Sequence, residues 1–508
     1  MSLKMNSMEK KWVLYDVGNS AFTLLVTALM SIYFNTLAEQ AGVSETNYLA
    51  YWGYATSAST VLVAILGPTL GTLSDIRGMR RKIFSVSLLI GAVGCVVLGF
   101  CWHWLWFLLL FVLAKSAYQL SLVVYDSMLI DVTTRERMDE VSSRGYAWGY
   151  IGSCIPFVLA VAVYAMYAMF GFFSMEVSMV IVFVLTAVWW VGCSLPLWRN
   201  YRQKHFVEPG GHPVRTGAKN LGRVFKELGH NRKVLFFLIA FFFFIDGVYT
   251  IIDMAVAYGD SLGLNEVSLV LALLVTQVVA FPAAILFGMA TRKIKPEWLI
   301  VICIAAYFCI TVYAVFLSVE YQFWILAVCV GIFQGTIQAM SRSYYGKIIP
   351  HKKAGEYFGV YDIFGKGAAF LGTTLVSAIT QLVATHIGDT IDLGFTVIRA
   401  QNVGVGVLAV MFILGMVFFL LAVKQKTLPQ EDGEAAENAA PAAEEGVSKA
   451  SAGGAEEDGG AAACAGPDRT ACAAADTSED AAESGGPPRE PAAGPSEPQK
   501  WSHVFSPF

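Results

Sequence analysis

Charge is scarce in this 508-residue chain: Asp, Glu, Lys and Arg make up 15% of it, against 56% hydrophobic residues. Soluble domains carry about 25% and about 45–50%. The shortage excludes a protein whose whole surface meets water. Histidine is scarcer still, with seven residues, and no HExxH pattern occurs, so no metal-dependent hydrolase site is indicated. No GxSxG elbow offers a serine nucleophile, and no Walker-type glycine loop offers a phosphate cradle. Those absences remove the corresponding membrane-bound enzymes and any pump driven directly by ATP. The nine cysteines contain no CxxC or Cys/His spacing; seven lie in or at the ends of apolar stretches, and Cys464 and Cys472 lie near the C-terminal end. Neither a metal, a redox pair nor a cofactor is expected, nucleic acid is not an expected partner, and the chain is not expected to be an enzyme.

What the chain has in abundance is apolar sequence long enough to cross a hydrocarbon core, which takes roughly 20 helical residues. Such stretches fall near 12–38, 50–73, 83–101, 104–128, 146–170, 177–197, 234–257, 267–290, 298–317, 321–345, 357–385 and 398–423. The first follows Lys10 and Lys11 and runs past the length of a signal peptide without a small-residue cleavage site, so it is expected to be retained. Breaks after even-numbered stretches carry Arg77, Arg80, Arg81 and Lys82, then Arg135, Arg137 and Arg144, then the run from Arg199 to Lys233, then Arg292, Lys293 and Lys295, then Lys347, Lys352 and Lys353. Breaks after odd-numbered stretches carry Glu39, Glu45, Glu176, Asp260, Glu266, Glu320, Asp389 and Asp392 instead. Because cytoplasmic loops accumulate Lys and Arg, both termini are expected in the cytoplasm of a multi-pass protein of the cell membrane. The expected fold is all-α and integral to the lipid bilayer, with twelve transmembrane helices in two pseudo-symmetric six-helix bundles. The boundaries are a cytoplasmic N-terminus at 1–11, bundles at 12–197 and 234–423, a basic cytoplasmic linker at 198–233, and a tail at 424–508.

The tail differs in kind. From Leu428 onward it is rich in Ala, Gly, Pro and Glu and holds 16 acidic against 4 basic residues, a net of −12, whereas the whole chain stands at −4. The membrane part therefore carries about +8. A segment with so little apolar surface cannot offset its ordering entropy and is expected to be disordered and solvated.

Within the apolar stretches, ionisable residues are few and patterned. In FIDGVYTIID (244–253), Asp246 and Asp253 stand seven residues apart, nearly two helical turns, and so share one face about 10.5 Å apart along the axis. The fourth stretch places Lys115, Gln119 and Asp126 within about 40° of one line. The tenth repeats Gln334, Gln338 and Arg342 at i, i+4 and i+8; the first carries Asp16, Asn19, Thr23 and Thr27; the eleventh has Asp362 and Lys366 at i and i+4. Stretches 1, 4, 7 and 10 each open a three-helix unit, as expected of related triplets around a central polar cavity. A charge at the bilayer centre costs about 2.5–3.5 kcal/mol even on the mildest scale, so these side chains should face a shared aqueous space or one another. Asp362 with Lys366 reads equally as a buried salt bridge joining bundles, and Asp16 and Asp126, near the basic ends of their helices, read equally as groups that reach water. The halves are weakly alike: RGYAWGYIG (144–152) lies over YFGVYDIFG (357–365), and LYDVGNSAF (14–22) over FIDGVYTII (244–252), setting Asp16 against Asp246. Small residues one turn apart at Gly67 and Gly71, Gly145 and Gly149, and Gly331 and Gly335 predict close helix approach. Trp102, Trp104 and Trp106 read as interfacial anchors.

The break GTLSDIRGMRRK, with Gly71, Asp75, Gly78, Arg80 and Arg81, resembles the signature loop of the major facilitator superfamily. The resemblance implies that Asp75 ties the second helix to its neighbours in the outward-facing state. Ile76 stands where that family commonly has a basic residue, and the break after the eighth stretch, GMATRKIKP (288–296), has no Asp, so the role carries over to the first half alone. WVLYDVGNSAF (12–22), IDGVYTIIDMAVAYG (245–259), GTIQAMSRSYYGKIIP (335–350) and EYFGVYDIFGK (356–366) resemble the vacuole-effluxer-like branch of that superfamily, which includes bacterial proteins and autophagy-related fungal exporters of amino acids. The likeness spans about residues 10–423. It implies a monomeric secondary transporter, whereas the site residues nominated here rest on the charge pattern.

The expected function is alternating-access transport of a small polar solute, an amino acid or similar, with efflux open as its direction. Asp246 or Asp253 would hold a proton or the solute's ammonium, and Lys115 or Arg342 would meet a carboxylate. An apolar setting and a nearby cation shift a carboxyl group's titration in opposite directions, which leaves protons open as a coupling partner. The alternative is a non-transporting membrane sensor or scaffold signalling through its cytoplasmic tail.

Overall fold

The apolar stretches form helices, several of which run past both ends of the expected spans. The computed structural model describes residues 4–208, 226–261, 266–317, 319–366, 369–388, 390–392 and 397–426. The tail from residue 427 onward lies outside them. The first half of the chain comprises α1 (Ser7–Leu25), a π-helical turn (Val26–Met30), α2 (Ser31–Gln40), α3 (Glu45–Ser74), α4 (Met79–Leu98), α5 (Trp104–Val132), α6 (Met138–Phe170) and α7 (Met175–Asn200). The second half comprises α8 (Arg232–Ser261), α9 (Glu266–Ala290), α10 (Pro296–Val315), α11 (Glu320–Ile348), a 3₁₀ turn (His351–Lys353), α12 (Ala354–Lys366) and α13 (Ala369–His386). A short antiparallel hairpin, β1 (Thr390–Asp392) with β2 (Val397–Arg399), then leads into α14 (Ala400–Gly406) and α15 (Leu408–Lys424).

Among the described residues, ten helices are long and apolar enough to cross a membrane: α3 to α11, and α14 with α15 taken together. The first expected stretch is instead divided by the π turn between α1 and α2; the eleventh is described as α12 and α13, with residues 367 and 368 outside the described residues. A capping box explains where α1 starts: Glu9 N donates to Asn6 Oδ1 at 2.7 Å and Asn6 N to Glu9 Oε2 at 2.8 Å. Two otherwise unsatisfied N–H groups are thereby paired. Glu9 also accepts from Thr133 and Arg137, which ties α1 to the α5–α6 turn.

In the first half, α1 packs on α6 and α7, and α4 on α5 and α7; in the second, α8 packs on α15, and α9 on α11. The halves meet through α3 with α12 and through α6 with α9 and α11. Much of the core is aromatic. Trp12 stacks on Tyr125 at 4.5 Å, and Phe241 on Tyr361 at 4.2 Å. Outward-facing apolar residues such as Val61, Ile65, Leu286 and Val410 remain exposed, as in a helix bundle whose solvent is lipid. Trp102 and Trp106 are exposed beside them, while Trp104 stacks on Tyr51.

Candidate functional site

The polar residues of the apolar helices gather along the seam between the halves, and Arg342 on α11 is the centre of the largest group. Its Nη1 donates to Asp126 Oδ1 at 3.0 Å, its Nη2 lies 3.4 Å from Asp16 Oδ2, and its Nε donates to Ser142 Oγ at 3.0 Å. The guanidinium sits 4.6 Å from the Trp12 ring, 4.4 Å from Tyr146 and 5.7 Å from Tyr125. Every one of these partners belongs to the first half. Arginine suits the position because its planar fork stacks on rings while donating in plane. Asp16 does not reach water through its helix end, being 6% exposed; Asp126 is partly exposed. The alternative of solvated end groups gives way to a buried cluster of one cation and two carboxylates. Asn19 holds the other oxygen of Asp16, Nδ2 to Oδ1 at 3.1 Å. Gly145 and Gly149 make room: a Cβ at Gly145 would lie 2.5 Å from Asp16 Oδ2.

Further polar ties between the halves run toward the end of the bundle that carries the basic breaks. Ser142 donates to Ala339 O, Ser343 to Asp139, Lys347 to Asp139, and Arg292 to Glu140 at 2.8 Å. Asp75 caps the start of α12, accepting from Gly355 N at 2.7 Å and Glu356 N at 2.9 Å, where a helix leaves N–H groups unpaired and favours an anion. Arg80 bridges Asp75 at 2.6 Å to Asp131 at 2.7 Å. Burial outweighs the pull of Arg80 and pushes the Asp75 carboxyl up to about 6. Gly71 lets the helices touch: a Cβ there would lie 2.7 Å from the carbonyl carbon of Gly355. Gly78 opens α4 in the left-handed region at φ 75°, and Arg81 points to solvent. Asp131 also accepts from Tyr201 and His205, and Val207 pairs by backbone with Asp75 and Arg77, so the first residues after α7 strap this loop.

The remaining nominated residues lie away from the basic end. Asp253 is exposed, with Lys115 as its electrostatic partner across the gap between α8 and α5; Lys115 Nζ lies 5.5 Å from the Phe111 ring. Gln119 and Gln334 are buried, with Gln119 Oε1 and Gln334 Nε2 lacking hydrogen-bond partners among the described residues. Gln338 donates to the Tyr150 hydroxyl at 3.2 Å. Asp246 is fully buried between α8 and α13 and joins neither the Arg342 cluster nor Asp253. Asp362 is half-buried on α12, and the side chain of Lys366 lies outside the described residues. Gln334 and Thr250 also line an apolar pocket within the second half, with Tyr258, Phe323 and Thr276. Charge-pattern reasoning missed the aromatic cage, Ser142, and the carboxylates Asp139 and Glu140. It also missed Gly355 and Gly359, whose one-turn spacing answers Gly67 and Gly71 and stands in plain view in GEYFG.

Comparison with known proteins adds to this geometry. Residues 130–426 match the family described as vacuole effluxer Atg22 like. An uncharacterized MFS-type transporter, YxiO of Bacillus subtilis (strain 168), is 37% identical over 414 residues, 80% of this chain and 96% of the relative. Autophagy-related protein 22-1 of Aspergillus niger is 25% identical over 267 residues, 48% of this chain and 42% of its own length, so the chain spans under half of that fungal protein. The crystal structure of the major facilitator superfamily transporter FucP in the outward conformation superposes with a TM-score of 0.60 at 13% identity, covering 82% of this chain and 99% of that one.

Proposed function

Because the chain belongs to the Atg22-like vacuole-effluxer family of major facilitator superfamily transporters, we propose that it moves a small zwitterionic solute, an amino acid or similar, by alternating access between its two halves. One observation carries this reading: every partner of Arg342 in its ion and ring cluster comes from the opposite half. The polar ties between the halves gather toward the basic end, while Asp253 and Lys115 face one another away from it. That asymmetry is what one stage of a rocking cycle requires: one end sealed, the other holding charges of both signs for an ammonium and a carboxylate. The basic end faces the cytoplasm of the cell membrane under the positive-inside rule, with both termini there. The α1–α2 and α12–α13 pairs complete twelve crossings, six in 12–197 and six in 234–423, joined by the 198–233 linker. The family's description as effluxers supports export.

The test is solute flux in proteoliposomes with a panel of amino acids and dipeptides, comparing wild type with Lys115→Ala and Asp253→Asn. Saturable flux of one zwitterion class is expected. Each variant should raise KM about tenfold or more, since a hydrogen bond to a charged group is worth about 1.5–3 kcal/mol. Flux that neither variant alters would remove the pair from the solute site; no saturable flux of any zwitterion would remove the substrate class.

A further inference from the structure

Asp246 presents a different chemistry from the other membrane aspartates. It is 0% exposed. One oxygen, Oδ1, accepts from Gly372 N at 3.1 Å and lies 3.4 Å from the Thr250 hydroxyl; the other, Oδ2, is buried without a hydrogen-bond partner among the described residues. No cation among those residues pairs with it. On the elements packed against α8 the titratable groups include Tyr361 and Asp362 on α12, Arg342 and Tyr344 on α11, His386 on α13 and Lys424 on α15, and none contacts it. Along α8 itself, Asp253 has Lys115 as its partner and Tyr249 makes no hydrogen bond to the carboxyl. Gly372 lies on α13. Its lack of a Cβ is what admits the carboxyl, since a Cβ there would lie 2.8 Å from Asp246 Oδ1 and closer still to Thr250.

A carboxylate sealed from water, with no counter-charge among the described residues, bears a desolvation cost that one backbone N–H and one long hydroxyl contact do not offset. The neutral acid removes that cost and gives Oδ2 a proton to hold. We propose that Asp246 is the proton site of the transport cycle: it carries one proton while the basic end is closed, and releases it when movement of α13 away from α8 lets water reach Oδ2. This rests on the transporter reading and assigns the proton to Asp246, leaving Asp253 with the solute. The step conserves charge, the proton passing from the carboxyl to water on the newly opened side.

Two measurements separate this assignment from the transport reading. Infrared spectra of the purified full chain in nanodiscs, compared across pH, should show the C=O stretch of a protonated carboxylic acid. The band should be lost in Asp246→Asn, kept in Asp253→Asn and shifted in Thr250→Val, which removes only the hydroxyl facing Oδ1 and covers the case in which Asp246→Asn does not fold. A band that is absent in wild type, or unmoved by both Asp246→Asn and Thr250→Val, overturns the proposal whatever the flux assays give. In proteoliposomes, a gradient of one pH unit should drive about tenfold solute accumulation in wild type, the yield of one coupled proton, and none in Asp246→Asn. Accumulation in that variant equal to wild type also overturns it. Absence of any solute flux in wild type beside an intact Asp246 band overturns the transporter reading and, with it, the place of this proton in a cycle.

Discussion

At Arg342 three requirements meet in one side chain: a charge for two carboxylates, a flat face for two rings, and a fork for Ser142. Removing the cation strands Asp16 and Asp126 in a buried site, and breaking a buried pair from one side costs about 3–5 kcal/mol. Arg342→Ala is therefore expected to lower the melting temperature of the purified protein by several degrees and to loosen the closed end. Arg342→Lys keeps the charge but loses the planar fork and the ring stacking, so a drop about half as large is expected. Equal melting temperatures for wild type and Arg342→Ala would show that the cluster is no stabilising tie. The charges themselves were legible in the sequence, because an arginine and two aspartates are conspicuous in apolar helices. The cage was not. Trp12, Tyr125 and Tyr146 belong to a population of 67 aromatic residues, and nothing in helical spacing says which of them meet across two halves. Asp246 was legible as unusual but not as lacking a cation partner among the described residues, since that depends on what the packed helices bring to it.

Helix ends show how one interface is built twice with different parts. In the first half Asp75, just past α3, caps α12; in the second Arg292, just past α9, pairs with Glu140 in the first turn of α6. The loop resemblance captured the first because the Asp is in register, and the second was hidden because the charges are reversed. The same face holds two titratable groups that work against each other. Asp75 is pushed up to about 6, and burial, with His205 and Arg135 adding to it, pulls His351 down to about 4. In an opened state that hydrates both, they return toward the usual 3.8 and 6.5. Between about pH 4 and 6 the closed state holds more protons than the opened one at Asp75, so closure weakens as pH rises; at His351 the opened state holds more, so closure strengthens as pH rises. The two slopes offset in wild type. His351→Gln should expose the first, with closure falling from pH 4 to 6, and Asp75→Asn the second, with closure rising from pH 4 to 6.5. Spin-label distances across the basic end report the population directly. Slopes of the same sign in both variants would contradict this balance.

On the scale of the whole molecule, hydropathy and the positive-inside pattern were sufficient to outline the bundle because the bilayer imposes a length on each span and admits few polar groups between. They could not foresee the π turn after α1, which leaves composition unchanged and alters only local hydrogen bonding. Composition divides the chain more sharply at its other end, where a net of about +8 on the membrane part adjoins −12 from Leu428 onward. If the cavity charges do the work, a chain ending at residue 427 should keep wild-type solute flux and a melting temperature within about 1 °C, because the tail's composition offers little apolar surface to bury. A sensor that signals through its tail demands the opposite outcome, with function lost on truncation and retained in Lys115→Ala and Asp253→Asn. The two readings thus differ in which part of the chain tolerates loss, and flux measured on the truncated chain beside the two charge variants, in one lipid composition and at one salt concentration, decides between them.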